Sequence, residues 1–425
     1  MTHVLLISAF WPTQDNQISG IFVVQQIAAL CRAGAEVTVL VGRAVGRAGQ
    51  HYLSPSELGL PASMVELVVF PHLRLPQSLS RARAPLAFNI WAYGKALARR
   101  LGRVRASRPT PLFCLVHGLI YPGLSLPHWS QGVAARKLVC IHGVDPFLTD
   151  PSVRRFIEPL MKAAAAETDA FLLVGTSLRP HARELGLEEP MLAVIPNGTD
   201  LPLSTEAPAA SGAVSAGSVT TGSVGAGVHF VSVSNLIALK GIDDNIRALH
   251  ILKKTSRLSD WHYSVVGEGP ERASLEALVA SLGLEGHVRF LGRLPYTETM
   301  NIIASADIFS LPSWGEAFGI VYLEAMVRGR ATIGCLENGA ADIITSGVDG
   351  YLVPPKNPEA LAETFAKLVG DADIRKRLGT RARQTARKFT WDENVRRLMA
   401  LAHANTDAPL RGGEAIESPL VQHGN

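Results

Sequence analysis

Short apolar runs alternate with longer amphipathic stretches through the first 200 residues. Val4–Ile7, Glu36–Val41, Leu112–Val116, Leu138–Ile141, Phe171–Val174 and Leu192–Ile195 read as strands. Phe22–Cys31 and the segments near 86–103 and 152–166 read as helices, with Gly34 as punctuation after the first of them. Apolar strands separated by helices predict a parallel sheet covered on both faces. From Asp200 to Val228 the pattern lapses into small residues, as in Ser211–Ser218. That composition cannot build a core and predicts a flexible linker. The alternation then restarts with strands at His229–Val233, Tyr263–Val266, Val288–Leu291 and Ile308–Leu311. Helices at Asp243–Lys253, Glu271–Leu282, Met300–Ala306 and Ile320–Arg328 lie between or after them. The expected class is α/β with two units, each built on a parallel sheet. A first domain would span 1–200, a linker 201–227 and a second domain 228–390. A helix over 391–406 would pack back on the first domain, and 407–425 would form a disordered tail.

Composition narrows the class. Of 425 residues, 47% are hydrophobic and 18% charged, which allows a sizeable core and excludes wholesale disorder. Cys31, Cys114, Cys140 and Cys335 lie far apart and form no C-x-x-C pair. They are expected to be buried apolar residues in a reducing compartment, not a zinc site or disulfide framework. Val4–Ile7 lacks a basic lead, so it reads as a strand, not a signal peptide. No apolar stretch approaches the ~18 residues of a spanning helix. The expected location is the cytoplasm, or the periphery of the membrane's inner face.

The net charge of +4 is unevenly spread. The first 200 residues hold 19 basic and 13 acidic side chains, and residues 71–110 hold nine basic and none acidic. The nine are Arg74, Arg81, Arg83, Lys95, Arg99, Arg100, Arg103, Arg105 and Arg108. Ile90-Trp91-Ala92-Tyr93 and Leu97 lie among them, so a helix there would set apolar residues into an anionic membrane interface. The alternative is a solvated basic helix face. No aromatic–basic module of a nucleic-acid binder accompanies the charge, so nucleic acid is not an expected partner.

The chemistry concentrates in the second half. Ser313-Trp314-Gly315-Glu316-Ala317-Phe318-Gly319 runs directly into Ile320-Val321-Tyr322-Leu323-Glu324-Ala325-Met326. A glycine turn followed by a helix start offers backbone N–H groups to phosphate oxygens. On one continuous helix Glu316 and Glu324 would be separated by roughly 12 Å of rise and about 80° of rotation. That exceeds the roughly 5–9.5 Å of a glycosidase carboxylate pair. The two acids suit separate parts of an elongated ligand instead. Lys240-Gly241 stands before a helix, where a lysine can act as a point charge on phosphate. His117 and His142 each follow a strand and precede a glycine, at the carboxyl ends where ligands of such sheets collect.

The motifs Asn235-Leu236-x3-Lys240-Gly241, Val266-Gly267-Glu268-Gly269-Pro270-Glu271, Val288-x-Phe290-Leu291-Gly292, Glu316-x7-Glu324 and Asp349-Gly350-Tyr351-Leu352-Val353 occur in this order. Residues 229–355 thereby resemble the donor-binding domain of the retaining glycosyltransferases of family 4, which have the GT-B fold of two Rossmann-like domains facing a cleft. The first half fits more loosely, through Phe10-Trp11-Pro12, Ser19-Gly20, Ile141-His142-Gly143-Val144-Asp145 and Ile195-Pro196-Asn197-Gly198-Thr199-Asp200.

The resemblance implies a retaining, metal-independent hexosyltransferase. Its donor would be a UDP- or GDP-sugar and its acceptor a saccharide or lipid-linked saccharide, in cell-surface or exopolysaccharide synthesis. No cofactor is implied, and no D-x-D run for a metal is present at a strand end. Lys240 would bind the diphosphate, Glu316 the donor sugar and Glu324 the ribose. Gly20 would let the first loop approach the diphosphate, and Gly267 would line the nucleotide pocket. Backbone around Phe318, Gly319 and Ile320 would face phosphates and sugar, and Leu291, Gly292, Arg293 and Leu294 would hold the base. Glu316, Lys240 and His142 would carry the chemistry, with His117, His142 and Asp145 on the acceptor side. Asn235 stands where the family commonly has Arg, and Glu337-Asn338-Gly339-Ala340 where it usually has a double glycine. The alternatives are a catalytically degenerate nucleotide-binding subunit and a soluble synthase acting on a small sugar phosphate.

Overall fold

The computed structural model describes residues 2–46, 50–75, 83–105, 110–131, 133–144, 148, 150–201, 227–255 and 260–403. The expected linker core and tail therefore lie outside the described residues, as does Asp145. The chain divides into two units, one formed by 1–198 together with 391–425 and the other by 199–390.

In the first unit the elements run β1 (Thr2–Ser8), α1 (Ile21–Arg32), β2 (Ala35–Ala44), β3 (Val65–His72), α2 (Arg83–Arg105), β4 (Phe113–His117), β5 (Arg136–Ile141), α3 (Pro151–Ala166), β6 (Ala170–Leu173), α4 (Arg179–Glu184) and β7 (Leu192–Val194). The strands form one sheet in the order β3-β2-β1-β4-β5-β6-β7. All pairings are parallel. Central strands are buried along nearly their whole length, as Val4–Ile7 and Phe113–Val116 show, because helices cover both faces. β3 escapes the sequence pattern because it is an edge strand carrying Glu66 and Pro71.

The second unit runs β8 (Val228–Val233), α5 (Ile242–Lys254), β9 (Trp261–Val266), α6 (Arg272–Ser281), β10 (Val288–Gly292), α7 (Tyr296–Ser305), β11 (Ile308–Ser310), α8 (Ile320–Val327), β12 (Ala331–Cys335), β13 (Tyr351–Val353), α9 (Pro358–Gly370) and α10 (Ala372–Ala386). Its sheet order is β10-β9-β8-β11-β12-β13, again with every pairing parallel. In each sheet the strand order reverses direction once, between β1 and β4 and between β8 and β11. Crevices at the carboxyl ends of strands open at such points.

The last helix among the described residues, α11 (Trp391–His403), belongs to the first unit. Gln26 of α1 donates to Asn394 at 2.7 Å, and Asn394 donates to the Pro196 carbonyl at 2.7 Å. Trp391 is buried and donates to Gln25 at 3.2 Å. Arg136 at the start of β5 donates to the Leu401 carbonyl at 3.0 Å.

One expectation about α2 is corrected. Ile90, Tyr93 and Leu97 are buried in the first unit, so they offer no apolar face to a membrane. The exposed side of the helix carries Trp91, Lys95, Arg99 and Arg103 instead. Arg74 lies over the Tyr121 ring at 4.9 Å from its centroid. Arg81 and Arg108 lie outside the described residues, as do the side chains of Arg83 and Arg105. Among the described residues no helix is long and apolar enough to cross a membrane.

Candidate active site

Two of the second-half motifs, Lys240-Gly241 after β8 and the Ser313–Gly319 loop after β11, meet at the β8/β11 reversal. The loop after β8 ends in Lys240, and Gly241 then caps α5 with φ +63°. A Cβ there would lie 2.6 Å from the Pro312 carbonyl oxygen, so only glycine lets this loop approach the one after β11. The two loops are bonded to each other. Trp314 N–H donates to the Leu239 carbonyl at 3.0 Å, and the Ser313 hydroxyl donates to the same oxygen at 3.1 Å. This brings Lys240 Nζ to 2.6 Å from Glu316 Oε2, in a pair whose side chains are only 17% and 16% exposed.

The continuous-helix geometry for Glu316 and Glu324 is corrected. Helix α8 begins at Ile320, after Gly319 at φ +86°, so Glu316 lies in the preceding loop. No side chain caps α8; the Tyr322 N–H donates to the Gly319 carbonyl at 3.0 Å, while those of Ile320 and Val321 precede any intrahelical acceptor. Ile320 and Gly319 are half-buried at this helix start, while the Phe318 ring is fully buried and supports it from below. Glu324 follows one turn later and is 8% exposed. It accepts a hydrogen bond from Tyr296 at the start of α7, with Arg328 and Asp200 nearby. Burial pushes the Glu324 carboxyl up to about 7, and the Tyr296 bond and Arg328 only partly oppose this.

The remaining donor-side motifs form the adjoining turns. Gly267 follows β9 at φ +136°, with its N–H on the Gly292 carbonyl at 2.8 Å. Leu291, Gly292 and Leu294 are half-buried at the end of β10, whereas Arg293 is exposed. Asn235 is also exposed, and neither is placed beside Lys240 by a bond that the structure records. Asp349 serves the fold instead. Its carboxylate is buried, accepting from Thr345 N–H and from the Thr385 hydroxyl, both at 2.7 Å.

Sequence reasoning missed three supports of this site. Asn338 donates to the Ser313 carbonyl at 2.5 Å and caps the Ala340 N–H at 3.0 Å. Gly339 N–H donates to the Glu316 carbonyl at 2.9 Å, which pins the Glu316 loop. Lys356 lies over the Trp314 ring, 4.1 Å from its centroid. The departure already visible at Glu337-Asn338-Gly339 was the available signal. Glu337 holds φ +64°, a conformation that glycine adopts at no steric cost.

The first unit gathers its motif residues at the β1/β4 reversal. Gly20 has φ +77°, and a Cβ on it would sit 2.8 Å from the backbone of Phe10 and Trp11. The turn before α1 is thus held against the loop after β1. Phe10 and Phe22 then flank the two histidines. The Phe22 ring lies 4.6 Å from that of His142, and the Phe10 ring 5.9 Å from it, edge to face. His117 Nδ1 is 2.8 Å from His142 Nε2, with the rings stacked. Burial, then the neighbouring His142, holds His117 well below the usual imidazole range, and burial pushes His142 down to about 4. Both rings are therefore neutral at pH 7. His117 is fully buried, while His142 is half-buried and so the more accessible of the pair.

Two family models match in succession. The one described as "Glycosyl transferase 4-like domain" covers residues 19–198, and the one described as "Glycosyl transferases group 1" covers residues 224–385. The chain belongs to the group 1 glycosyltransferases. Its two parallel sheets with flanking helices are the GT-B fold of that family, and the same architecture is found in Anabaena HepE solved in complex with UDP. That similarity has a TM-score of 0.64 and 17% identity, and covers 94% of this chain and all of the other. Among curated relatives, an exopolysaccharide phosphotransferase of Streptomyces coelicolor is 32% identical over 275 residues, covering 63% of this chain and 27% of the relative. A D-inositol 3-phosphate glycosyltransferase of Corynebacterium urealyticum is 33% identical over 147 residues, covering 34% of this chain and 35% of the relative. The chain thus spans about a quarter and about a third of the length of these two relatives. In this group 1 glycosyltransferase both sets of motifs stand at strand-order reversals, one in each unit.

Proposed function

We propose that the protein transfers a sugar from a nucleotide-sugar donor to a saccharide or lipid-linked saccharide acceptor, with retention of anomeric configuration and without a metal, in exopolysaccharide or cell-surface glycan synthesis. The observation that carries this reading is the Lys240–Glu316 pair beside the uncapped start of α8. A cation and a set of free N–H groups together neutralise a diphosphate leaving group, which is the largest electrostatic demand of glycosyl transfer. A carboxylate next to them can accept from donor-sugar hydroxyls. Glu324, carried one turn further along α8, suits the ribose. A uridine or guanosine diphosphate sugar is the donor class, and binding of UDP by Anabaena HepE supports the first.

Under this reading Lys240 exchanges Glu316 for diphosphate oxygens as the donor binds. Glu316 is released toward the sugar, and the departing phosphate assists attack on the same face. His142, neutral and accessible, stands on the acceptor side. The acceptor domain would rest on an anionic membrane surface through the exposed face of α2, where Trp91 is 46% exposed beside Lys95, Arg99 and Arg103.

Incubation with UDP- and GDP-sugars, with and without membrane extract as acceptor source, tests the reading through nucleotide release and product analysis. Acceptor-dependent release of nucleotide with an α-to-α product by NMR is expected. Binding of the donor without turnover would leave only a nucleotide-binding protein, and an inverted product would remove the same-face mechanism.

A further inference from the structure

The cysteine spacing gives no sign of a metal site, yet the fold gathers two histidines and a cysteine in the first unit. His117 ends β4 and is the register partner of Cys140 in β5. His142 follows two residues later, so its side chain returns toward the same face of the sheet. One imidazole nitrogen from each histidine and the Cys140 sulfur all lie within 4.8 Å of one another. Cys140 is 5% exposed and His117 is 1% exposed. The nitrogen of His117 that faces His142 is Nδ1, whereas its Nε2 is buried elsewhere without a hydrogen-bond partner among the described residues.

We propose that His117, Cys140 and His142 form a binding site for a thiophilic cation of the Zn2+ class, and that its occupancy inhibits the enzyme. Two imidazoles and a thiolate are a borderline-soft donor set that selects such ions over Mg2+ or Ca2+. The bond lengths of zinc require nitrogen–nitrogen separations of about 3.3 Å and nitrogen–sulfur separations of about 3.5 Å. The present 2.8 Å between His117 Nδ1 and His142 Nε2 reaches that by a small opening of the ring pair. His142 is half-buried, which leaves water room to complete the tetrahedron, while Phe10 and Phe22 wall the remaining sides. On binding, the thiol gives up its proton to solvent and the cation takes the freed electron pair. Inhibition follows because the ion fixes the His142 ring in the sheet, away from any acceptor. This part rests on the transferase reading above.

The test uses the full-length reduced protein with Zn2+ in competition against a chromophoric chelator. Saturable binding of one ion is expected, weakened in Cys140→Ala by more than about a hundredfold, beyond what loss of a supporting partner costs. Cys114→Ala, in the neighbouring strand, should bind as the parent does. Co2+ should give a thiolate charge-transfer absorption that Cys140→Ala abolishes. His117→Ala provides the second ligand variant, with circular dichroism reporting its fold. Failure of the parent to bind, or equal affinity in Cys140→Ala, overturns the site. In transfer assays Zn2+ should depress turnover of the parent and spare Cys140→Ala. Binding without this difference overturns the inhibitory role and keeps the site. Absence of transfer under all conditions would overturn the proposed function, and the chelator and Co2+ measurements would still decide the site.

Discussion

Lys240 donates to Glu316 at 2.6 Å across the loops that follow β8 and β11, so each of these side chains is the other's counter-ion in the ligand-free protein. Under the proposed function both engage the donor, and neither is idle without it. Donor binding must therefore redistribute one charge pair, not create one. Glu316→Gln should retain the fold and lose transfer by at least about a hundredfold, a typical effect of removing one electrostatic contact to a reacting group. Turnover at the parental level would remove Glu316 from the site. Lys240→Met should weaken UDP-sugar binding, read by calorimetry. In the free protein the Lys240→Met/Glu316→Gln double-mutant cycle should show coupling of about 0.5–3 kcal/mol.

Glu324 makes stability depend on pH in an unusual direction. Its carboxyl titrates near 4.5 in the unfolded chain and is raised to about 7 by burial in the native one. Between these values the native state holds a proton that the unfolded state releases, so this group lowers stability as pH rises from about 4.5 to 7. The loss is at most about 3 kcal/mol. Urea unfolding at pH 5 and pH 7.5 should show Glu324→Gln gaining on the parent at the higher pH. The opposite trend would mean that the carboxyl is ionised in the native protein.

Glu337 carries a left-handed backbone in the loop that sets Asn338 and Gly339 against the Glu316 loop. Relief of the side-chain clash is worth about 1–2 kcal/mol, and the added freedom of glycine in the unfolded chain offsets about 0.5–1 kcal/mol of it. Glu337→Gly should therefore be tolerated and should raise stability by up to about 1 kcal/mol in chemical denaturation. A clear loss of stability would show that the Glu337 side chain is held by contacts that outweigh its backbone strain.

The exposed face of α2 makes a separate prediction. Sedimentation with vesicles containing phosphatidylglycerol should capture the protein, and uncharged vesicles should not. Charge reversal of Lys95, Arg99 and Arg103, or Trp91→Ala, should reduce capture several-fold at low salt. Equal and negligible binding to both vesicle types would end the membrane assignment.

The strand–helix alternation made the class legible, since parallel strands are apolar throughout and stand out from amphipathic helices. The pattern was weakest where that contrast fails. β3 is an edge strand with polar positions, and β12 and β13 are five and three residues long. Lys240, Glu316 and Glu324 stand out in the sequence because their motifs are local, but their spatial relationship does not. Whether Glu316 lies on α8 or before it depends on the φ of Gly319, and pairing with Lys240 depends on the approach of two loops 76 residues apart. The α2 expectation failed for a similar reason. A helix whose apolar side faces its own sheet and one whose apolar side faces lipid have the same periodicity, and only burial of Ile90, Tyr93 and Leu97 separates them. Cys140 could not be joined to two histidines from spacing, because strand register did the joining.

The placement of α11 sets an order of events at the ribosome. The segment 199–390 is continuous, so it can fold as soon as it has emerged. The first unit begins earlier and finishes later, because the seat for Trp391 and Asn394 on α1 stays vacant until the final helix is made. During synthesis of some two hundred residues its α1 surface is open to solvent and to chaperones. A chain stopped at Thr390 would keep that surface uncovered permanently, with Gln26 deprived of its partner.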